Sequence, residues 1–351
     1  MKKTLFLPII LIFTAGILLV FPGCNKKTSE NPFTQNNGEG QFGKIVTEGT
    51  TKPADSTLKG QEEQDSQSGE LTYMEKNEIK NEMAPQLTLD VYKNRPEVKY
   101  GSVKHETYYS KTCKMERGFS ILLPASYDGE KKFPVVYFQH GIFGDEYGTI
   151  NDENNKIKEV TANMAADGHA KEMIMVFGHM YATDNPDLKP GFDAVSIKPY
   201  DNFINELVND LMPYIESHYS VLTGRENTAV CGFSMGGRES LYIGLLRPDL
   251  FGYVGAISPA PGLVPGKDKF MVHEGSLQED EVHFPKDMPK PYLVMICCGT
   301  NDSVVGQFPK TYHQLFEKNG IEHIWFEVMA ADHDNKAIRT GLYHFIQRIF
   351  Q

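Results

Sequence analysis

Gly232-Phe233-Ser234-Met235-Gly236-Gly237 places a serine between small residues, in the pattern Gly-x-Ser-x-Gly. The segment leaves an apolar run, residues 228–233, and enters a stretch of helical period, residues 237–247. A serine on so tight a strand-to-helix turn has its hydroxyl held clear of the sheet, and glycines flank it where backbone comes close. The start of the helix favours negative charge developing there. Such a hydroxyl is suited to attack on an acyl carbonyl. The alternative is a plain serine in a glycine-rich turn, and the other residues of the chain must decide.

A serine hydroxyl is too weakly acidic to attack an ester unaided; it needs a base, and the base needs an orienting acid. His333 lies just after the apolar run 323–330 and before a helical stretch, 335–350. That is where the base belongs when serine, acid and histidine follow in that order, each at the carboxyl end of a strand. His323, before the run, and His344, inside the helix, read as structural or surface residues. Asp302, in Cys298-Gly299-Thr300-Asn301-Asp302-Ser303, leaves the preceding run and is the expected acid. Asp332 and Asp334 flank His333, but sequence neighbours seldom turn back onto the same ring.

The developing oxyanion needs two preorganised backbone N–H groups. Met235, directly after the serine, should supply one. Ile142, in the loop His140-Gly141-Ile142-Phe143-Gly144, should supply the other, with Gly141 as the alternative. His140 reads as a packing residue. Asp145 continues that loop towards the expected cleft, as a substrate contact or as part of a solvated loop. Arg238, at the start of the helix after the serine, is a candidate partner for an acidic substrate group or an exposed cation.

Positioning these residues calls for strands and helices in alternation. Residues 102–110 and 117–124 read as two strands, followed by apolar runs at 133–141, 172–179, 228–233, 251–258, 292–299 and 323–330. Short, wholly apolar runs rich in Val, Ile, Phe and Tyr suit strands buried on both faces of a sheet. Helical periods appear at 200–219, where Phe203, Leu207, Leu211 and Ile215 share one face, and at 237–247, 307–319 and 335–350. This implies one α/β domain over residues 86–351 with a mostly parallel sheet covered on both sides.

The N-terminus has a different texture. Lys2-Lys3 precede an apolar segment, residues 4–21, closed by Gly23-Cys24. Residues 1–24 thus read as a signal peptide of lipoprotein type, with Cys24 as the lipidated residue; an uncleaved anchor or ordinary secretion are the alternatives. All three place the domain outside the cytoplasm; the lipoprotein reading puts it at the cell envelope, with membrane contact only through that anchor. Residues 25–85, rich in Gly, Ser, Thr, Gln, Asn, Glu and Lys, read as a flexible tether. The net charge of −11, without a long Lys/Arg run, argues against a nucleic-acid partner. Cys113, Cys231, Cys297 and Cys298 form no paired Cys-x-x-C set, so a zinc site is not expected, and no disulfide can be assigned among them. The chemistry needs no metal or organic cofactor.

The segments HGIFGDE, DLMPYIESHYSV, CGFSMGG, CGTNDS and ADHD occur in that order. Together they resemble the esterase family that includes feruloyl esterases, acetylxylan esterases and esterase D, most closely its bacterial feruloyl esterase branch. The resemblance spans nearly all of 86–351 and implies the α/β-hydrolase fold, a mostly parallel central sheet with helices on both faces. It gives Ser234, Asp302 and His333 the triad roles, and Met235 with the His140-Gly141 loop the oxyanion role. It implies as substrate a polysaccharide-linked or small ester, with a hydroxycinnamoyl or acetyl group carried on arabinoxylan. Two features depart from the family pattern: Arg238-Glu239 replace smaller or amide residues after the serine, and residues 260–291 form an irregular insert. A carbohydrate acetyl esterase, an acyltransferase and a non-catalytic carbohydrate-binding lipoprotein are the rival readings. The intact Ser, Asp and His set argues against the last.

Overall fold

The computed structural model describes residues 86–351; the expected signal segment, its Cys24 and the tether lie outside the described residues. An antiparallel hairpin opens the sheet, β1 (Ser102–Ser110) with β2 (Met115–Leu123). There follow β3 (Val135–Gln139), β4 (Ile174–Gly178), β5 (Thr228–Phe233) and β6 (Tyr253–Ile257). Two short strands, β7 (Gly266–Lys267) and β8 (Val272–His273), pair only with each other. β9 (Leu293–Gly299) and β10 (Ile324–Val328) complete the main sheet, whose order is β1-β2-β4-β3-β5-β6-β9-β10. From β4 to β10 every pairing in it is parallel.

The helices in chain order are α1 (Leu89–Tyr92), α2 (Gly148–Asn151), α3 (Ile157–Ala166), α4 (Ala194–Asp201), α5 (Phe203–Glu206), α6 (Met212–His218), α7 (Met235–Leu246), α8 (Phe308–Lys318) and α9 (Asn335–Ile346). Because side chains alternate across a strand, one strand feeds two cores. Val135 and Tyr137 join Tyr200, Leu211, Leu241 and Phe316 beneath α4 to α8. Val136 and Phe138 join Val160, Met164, Leu342 and Phe345 beneath α3 and α9. The central strands are apolar throughout because both of their faces are covered.

Two expectations about helices change. The period over 200–219 buries Phe203, Leu207, Leu211 and Ile215 as the spacing requires, yet the segment is not one α-helix. It begins earlier, where Asp193 accepts the N–H groups of Val195 and Ser196, carries Pro199, and passes through a π-turn at Leu207–Leu211. Glu206, beside that turn, is fully buried and accepts from the Tyr108 hydroxyl at 2.7 Å and the Arg117 Nε at 2.9 Å. The second is α3, a helix in the connection between β3 and β4 to which the sequence analysis assigns no helical period. Four described cysteines are free and buried; Cys113 Sγ also donates to Glu206 Oε2 at 3.3 Å.

The chain runs outward from β3 to β4, then returns across β3 to lay down β5 and continues the other way. That reversal separates the loops leaving β3 and β5, which is where open α/β sheets form a crevice. Gln139 pairs with Gly232, so the two loops start side by side.

Candidate active site

Ser234 connects β5 to α7 with φ +59° and ψ −118°, a conformation non-glycine residues rarely adopt. Its N–H donates to Ile257 O at 2.9 Å, and its carbonyl accepts from Arg238 N at 3.0 Å and Ala260 N at 2.9 Å. The flanking glycines are demanded by packing. A Cβ on Gly232 would sit 2.4 Å from Gly236 O, and one on Gly236 would sit 2.2 Å from Gln139 O. The turn is therefore wedged against the end of β3, and its strain is held by the sheet on both sides.

His333 and Asp302 come from the loops after β10 and β9. Those loops are laced together: Thr300 N donates to Val328 O, Asn301 N to Ala331 O, and Ala330 N to the Thr300 hydroxyl. A Cβ on Gly299 would lie 2.3 Å from Ala331 O, so the close approach requires glycine there. His333 Nδ1 then faces Asp302 Oδ2 at 2.9 Å, and its ring lies against Phe233, 4.4 Å between centroids. Asp302 Oδ1 accepts from Val304 N and Val305 N. Burial alone would raise the Asp302 pKa, but the His333 contact and these donors outweigh it and hold it below the ordinary aspartate value.

The other two acids near His333 work on the backbone. Asp332 accepts from Ser303 N at 2.8 Å and from His333 N at 2.8 Å, tying the two loops together. Asp334 caps α9 through Lys336 N and Ala337 N. Asp332 was passed over in the sequence, because its value lies in joining two loops distant in the chain.

The loop after β3 runs beside the serine: a Cβ on Gly141 would be 3.9 Å from Ser234 Oγ. Phe143 N–H is taken by the Tyr200 hydroxyl and Gly144 N–H by Gly141 O. Among the described residues no acceptor takes the N–H of Ile142 or of Met235. His140 shapes this loop. Its Nε2 accepts from Met180 N at 2.9 Å, which leaves Nδ1–H to donate to Gly141 O at 2.7 Å. Burial pushes its pKa down to about 4, so the ring is neutral.

The exposed-cation reading of Arg238 is corrected, and Asp145 has a turn-building role in its loop. Arg238 is 1 % exposed and lines a small recess with Asp201 and Gly262, not the cleft that holds Ser234. It lies between Glu239 and Asp201, bonded to both, and Ser276 Oγ also donates to Asp201 at 3.1 Å. It fastens the insert and α4 to the helix that follows the serine. Burial raises the Glu239 carboxyl above the ordinary glutamate range, Arg238 opposes this, and the Asp201 charge adds to it. Asp145 directs Oδ1 to its own loop, accepting from Tyr147 N and Gly148 N at 2.9 and 2.7 Å. It builds a turn because a short acidic side chain can replace a backbone acceptor two residues on.

The sequence reading also missed the cleft's apolar wall. Ile142, Phe192, Ala260, Phe270, Val304 and Val305 line a cleft with Ser234 and Met235. Phe192 and Phe270 stack at 4.6 Å and 8°, and Phe143 meets Phe192 edge-on at 5.2 Å. All three rings are more than 40 % exposed, unusual for phenylalanine. They come from three connections, which no local pattern marks. Asp268 accepts from Phe270 N and Met271 N and so sets the tip between β7 and β8. A roomier recess of about 350 Å³, lined by Glu97, Ser126, Thr161 and Lys171 among others, contains none of these groups.

A mostly parallel sheet with a strained serine turn, and an acid–base pair presented beside it from the same carboxyl edge, defines an α/β-hydrolase and a serine esterase. The chain belongs to the Esterase family, whose model matches residues 110–334. It is 30 % identical over 222 residues to the endo-1,4-beta-xylanase/feruloyl esterase of Xylanibacter ruminicola, covering 62 % of this chain and 27 % of that protein. The chain thus spans about a quarter of that relative. It is 48 % identical to a CE1 ferulic acid esterase from Anaeromyces mucronatus solved with ferulic acid, with a TM-score of 0.73, covering 77 % of this chain and 98 % of that one. An S-formylglutathione hydrolase from Agrobacterium tumefaciens, 18 % identical with a TM-score of 0.54 over 72 % and 96 % of the chains, shares the fold.

Proposed function

We propose that this chain is a feruloyl esterase that releases hydroxycinnamoyl groups from plant cell-wall polysaccharide such as arabinoxylan. The observation that carries the aromatic acyl group is the Phe143, Phe192 and Phe270 cluster beside Ser234. Exposed stacked rings gain area and offset stacking from a planar aromatic partner. An acetyl group would leave them bare. The names of the two feruloyl esterase relatives support the same reading.

Ser234 is the nucleophile, His333 the base that takes its proton, and Asp302 the acid that orients the imidazole and stabilises its cation. The N–H groups of Met235 and Ile142 receive the charge on the tetrahedral intermediate. The alcohol departs with the proton from His333. Water, activated by the same ring, then frees the acid. The strained backbone at Ser234 holds the hydroxyl ready for both steps.

We also propose that the chain is exported and held at the cell envelope by lipid on Cys24, with residues 25–85 as a tether and membrane contact through that lipid alone. The order Lys2-Lys3, apolar segment, Gly23-Cys24 supports this. Incorporation of labelled palmitate into wild type and its loss in Cys24→Ala tests it; equal labelling of both, or of neither, contradicts it. The substrate claim is tested by offering methyl ferulate and acetylated xylan to the purified chain. Preference for the ferulate is expected, and preference for the acetylated polymer would make it an acetyl esterase.

A further inference from the structure

The loop that carries the Ile142 N–H is anchored twice, and its second anchor lies well away from Ser234. Glu146 reaches from the loop to the antiparallel edge of the sheet. There its Oε1 lies 3.3 Å from His105 Nε2 of β1, and its Oε2 lies 3.1 Å from His179 Nδ1, the residue after β4. The strand between makes room for it. A Cβ on Gly118 of β2 would fall 2.3 Å from Glu146 Oε1 and 2.8 Å from His105 Nε2. Any side chain at Gly118 would displace the carboxylate.

His105 is held on its other side as well. The Tyr147 hydroxyl lies 3.0 Å from its Nδ1, and the two rings stack at 4.0 Å and 18°. On the opposite flank the His179 ring lies 5.6 Å from His140, which donates to Gly141 O and accepts from Met180 N. Gly141 at one end of the loop and Glu146 at the other are thus both tied to the segment leaving β4. The Glu146 carboxyl is 13 % exposed. Burial would raise its pKa, but the contacts with His179, its own backbone and His105 bring it down to about 2. It is charged throughout the range in which an esterase works.

We propose that Glu146, clamped between His105 and His179, is a positioning residue that fixes the loop after β3 so that the Ile142 N–H faces the developing oxyanion. It rests on the assignment of Ser234, Ile142 and Met235 given above. Glu146 acts on the loop, not on the reacting atoms. Its effect lies in geometry, since oxyanion donors act only when they meet the position the charge will occupy. Glu146 does not touch substrate, so ground-state binding should not depend on it.

Glu146→Ala and Glu146→Gln in the full chain test this, with methyl ferulate turnover, affinity for an aryl boronic acid and affinity for free ferulate as readouts. A boronate adduct on the serine carries the tetrahedral anionic oxygen that the two N–H groups should hold. For Glu146→Ala, kcat and boronate affinity should each fall on the order of tenfold, less than the 10² or more lost when a donor is removed outright. KM and ferulate affinity should stay within about twofold, and Glu146→Gln should recover part of the loss, because an amide spans the same gap. Unchanged kcat and boronate affinity would overturn the proposal, as would a rise in KM matched by weaker ferulate binding at constant kcat. If Glu146→Ala does not fold, His105→Ala removes one clamp without stranding a charge and should lower the same two quantities together. The boronate arm does not depend on the choice of ester, so a wild type inert on methyl ferulate would show separately as a failure of the substrate reading.

Discussion

Asp302 Oδ2 meets His333 Nδ1 at 2.9 Å although the two residues stand on different loops, brought together by the parallel pairing of β9 with β10. The pairing of Gly299 with Val328 sets the two loop starts level. In the proposed mechanism the Asp302 charge holds the ring in the tautomer that leaves Nε2 free to take a proton. Asp302→Asn preserves the shape, removes the charge and permits the wrong tautomer. Its kcat on an activated ester at pH 7 should fall by on the order of 10⁴. A loss below about tenfold would mean another group orients the ring.

The turn at Ser234 tolerates no side chain at Gly236, where a Cβ would lie 2.2 Å from the Gln139 carbonyl oxygen. The listener on the other side is backbone at the end of a buried strand, which cannot step aside. Gly236→Ala should therefore cost roughly 1–3 kcal/mol, as overpacking of a rigid interior does. It should also lower turnover by moving the serine. Thermal melting and kcat measured on one preparation check both; an unchanged melting temperature would show that the elbow relaxes.

His140 gives a pH dependence with a defined sign. Its folded pKa of about 4 lies below the ordinary histidine value of 6.5, so the unfolded chain binds a proton that the folded chain refuses. The stability it contributes is complete above pH 6.5 and is lost as pH falls towards 4. For a ring this buried the loss approaches about 3 kcal/mol. Urea unfolding at pH 7 and pH 4.5 should show a smaller drop for His140→Gln, which cannot take up the proton but can still accept from Met180 N–H. Equal drops in the two proteins would remove His140 from the account.

Arg238 should behave as structure. Arg238→Met leaves Glu239 and Asp201 without their cation and should destabilise the domain by about 3–5 kcal/mol, the usual cost of stranding a buried charge. Adding Glu239→Gln should recover part of that loss. The folded fraction should keep its KM for both neutral and acidic esters. A rise in KM confined to acidic esters, with stability intact, would return Arg238 to the substrate.

The residues proposed for the chemistry are legible because each stands at a strand end, and strand ends announce themselves by composition. Ser234, Asp302 and His333 each follow an apolar run. What escaped the sequence depends on contacts between distant segments. Arg238 reads as an exposed helix-start cation until Asp201 and Glu239 are seen to enclose it. Phe192 and Phe270 are single aromatics in irregular connections, and only the folded chain stacks them. The long helical period at 200–219 marked the buried face correctly, but the spacing of apolar residues does not reveal the break that seats Glu206 against Arg117. Glu146 and Gly118 are meaningful only as a pair, across 28 residues of chain.

The most direct test is hydrolysis of methyl ferulate by the wild-type chain and by Ser234→Ala, prepared and assayed together. Steady release of ferulate by wild type is expected, with a loss on the order of 10³ or more in the variant, since no triad survives without its nucleophile. Comparable release by both would contradict Ser234 as the nucleophile. No release by a folded wild type that still cleaves aryl acetates would contradict the aromatic acyl group.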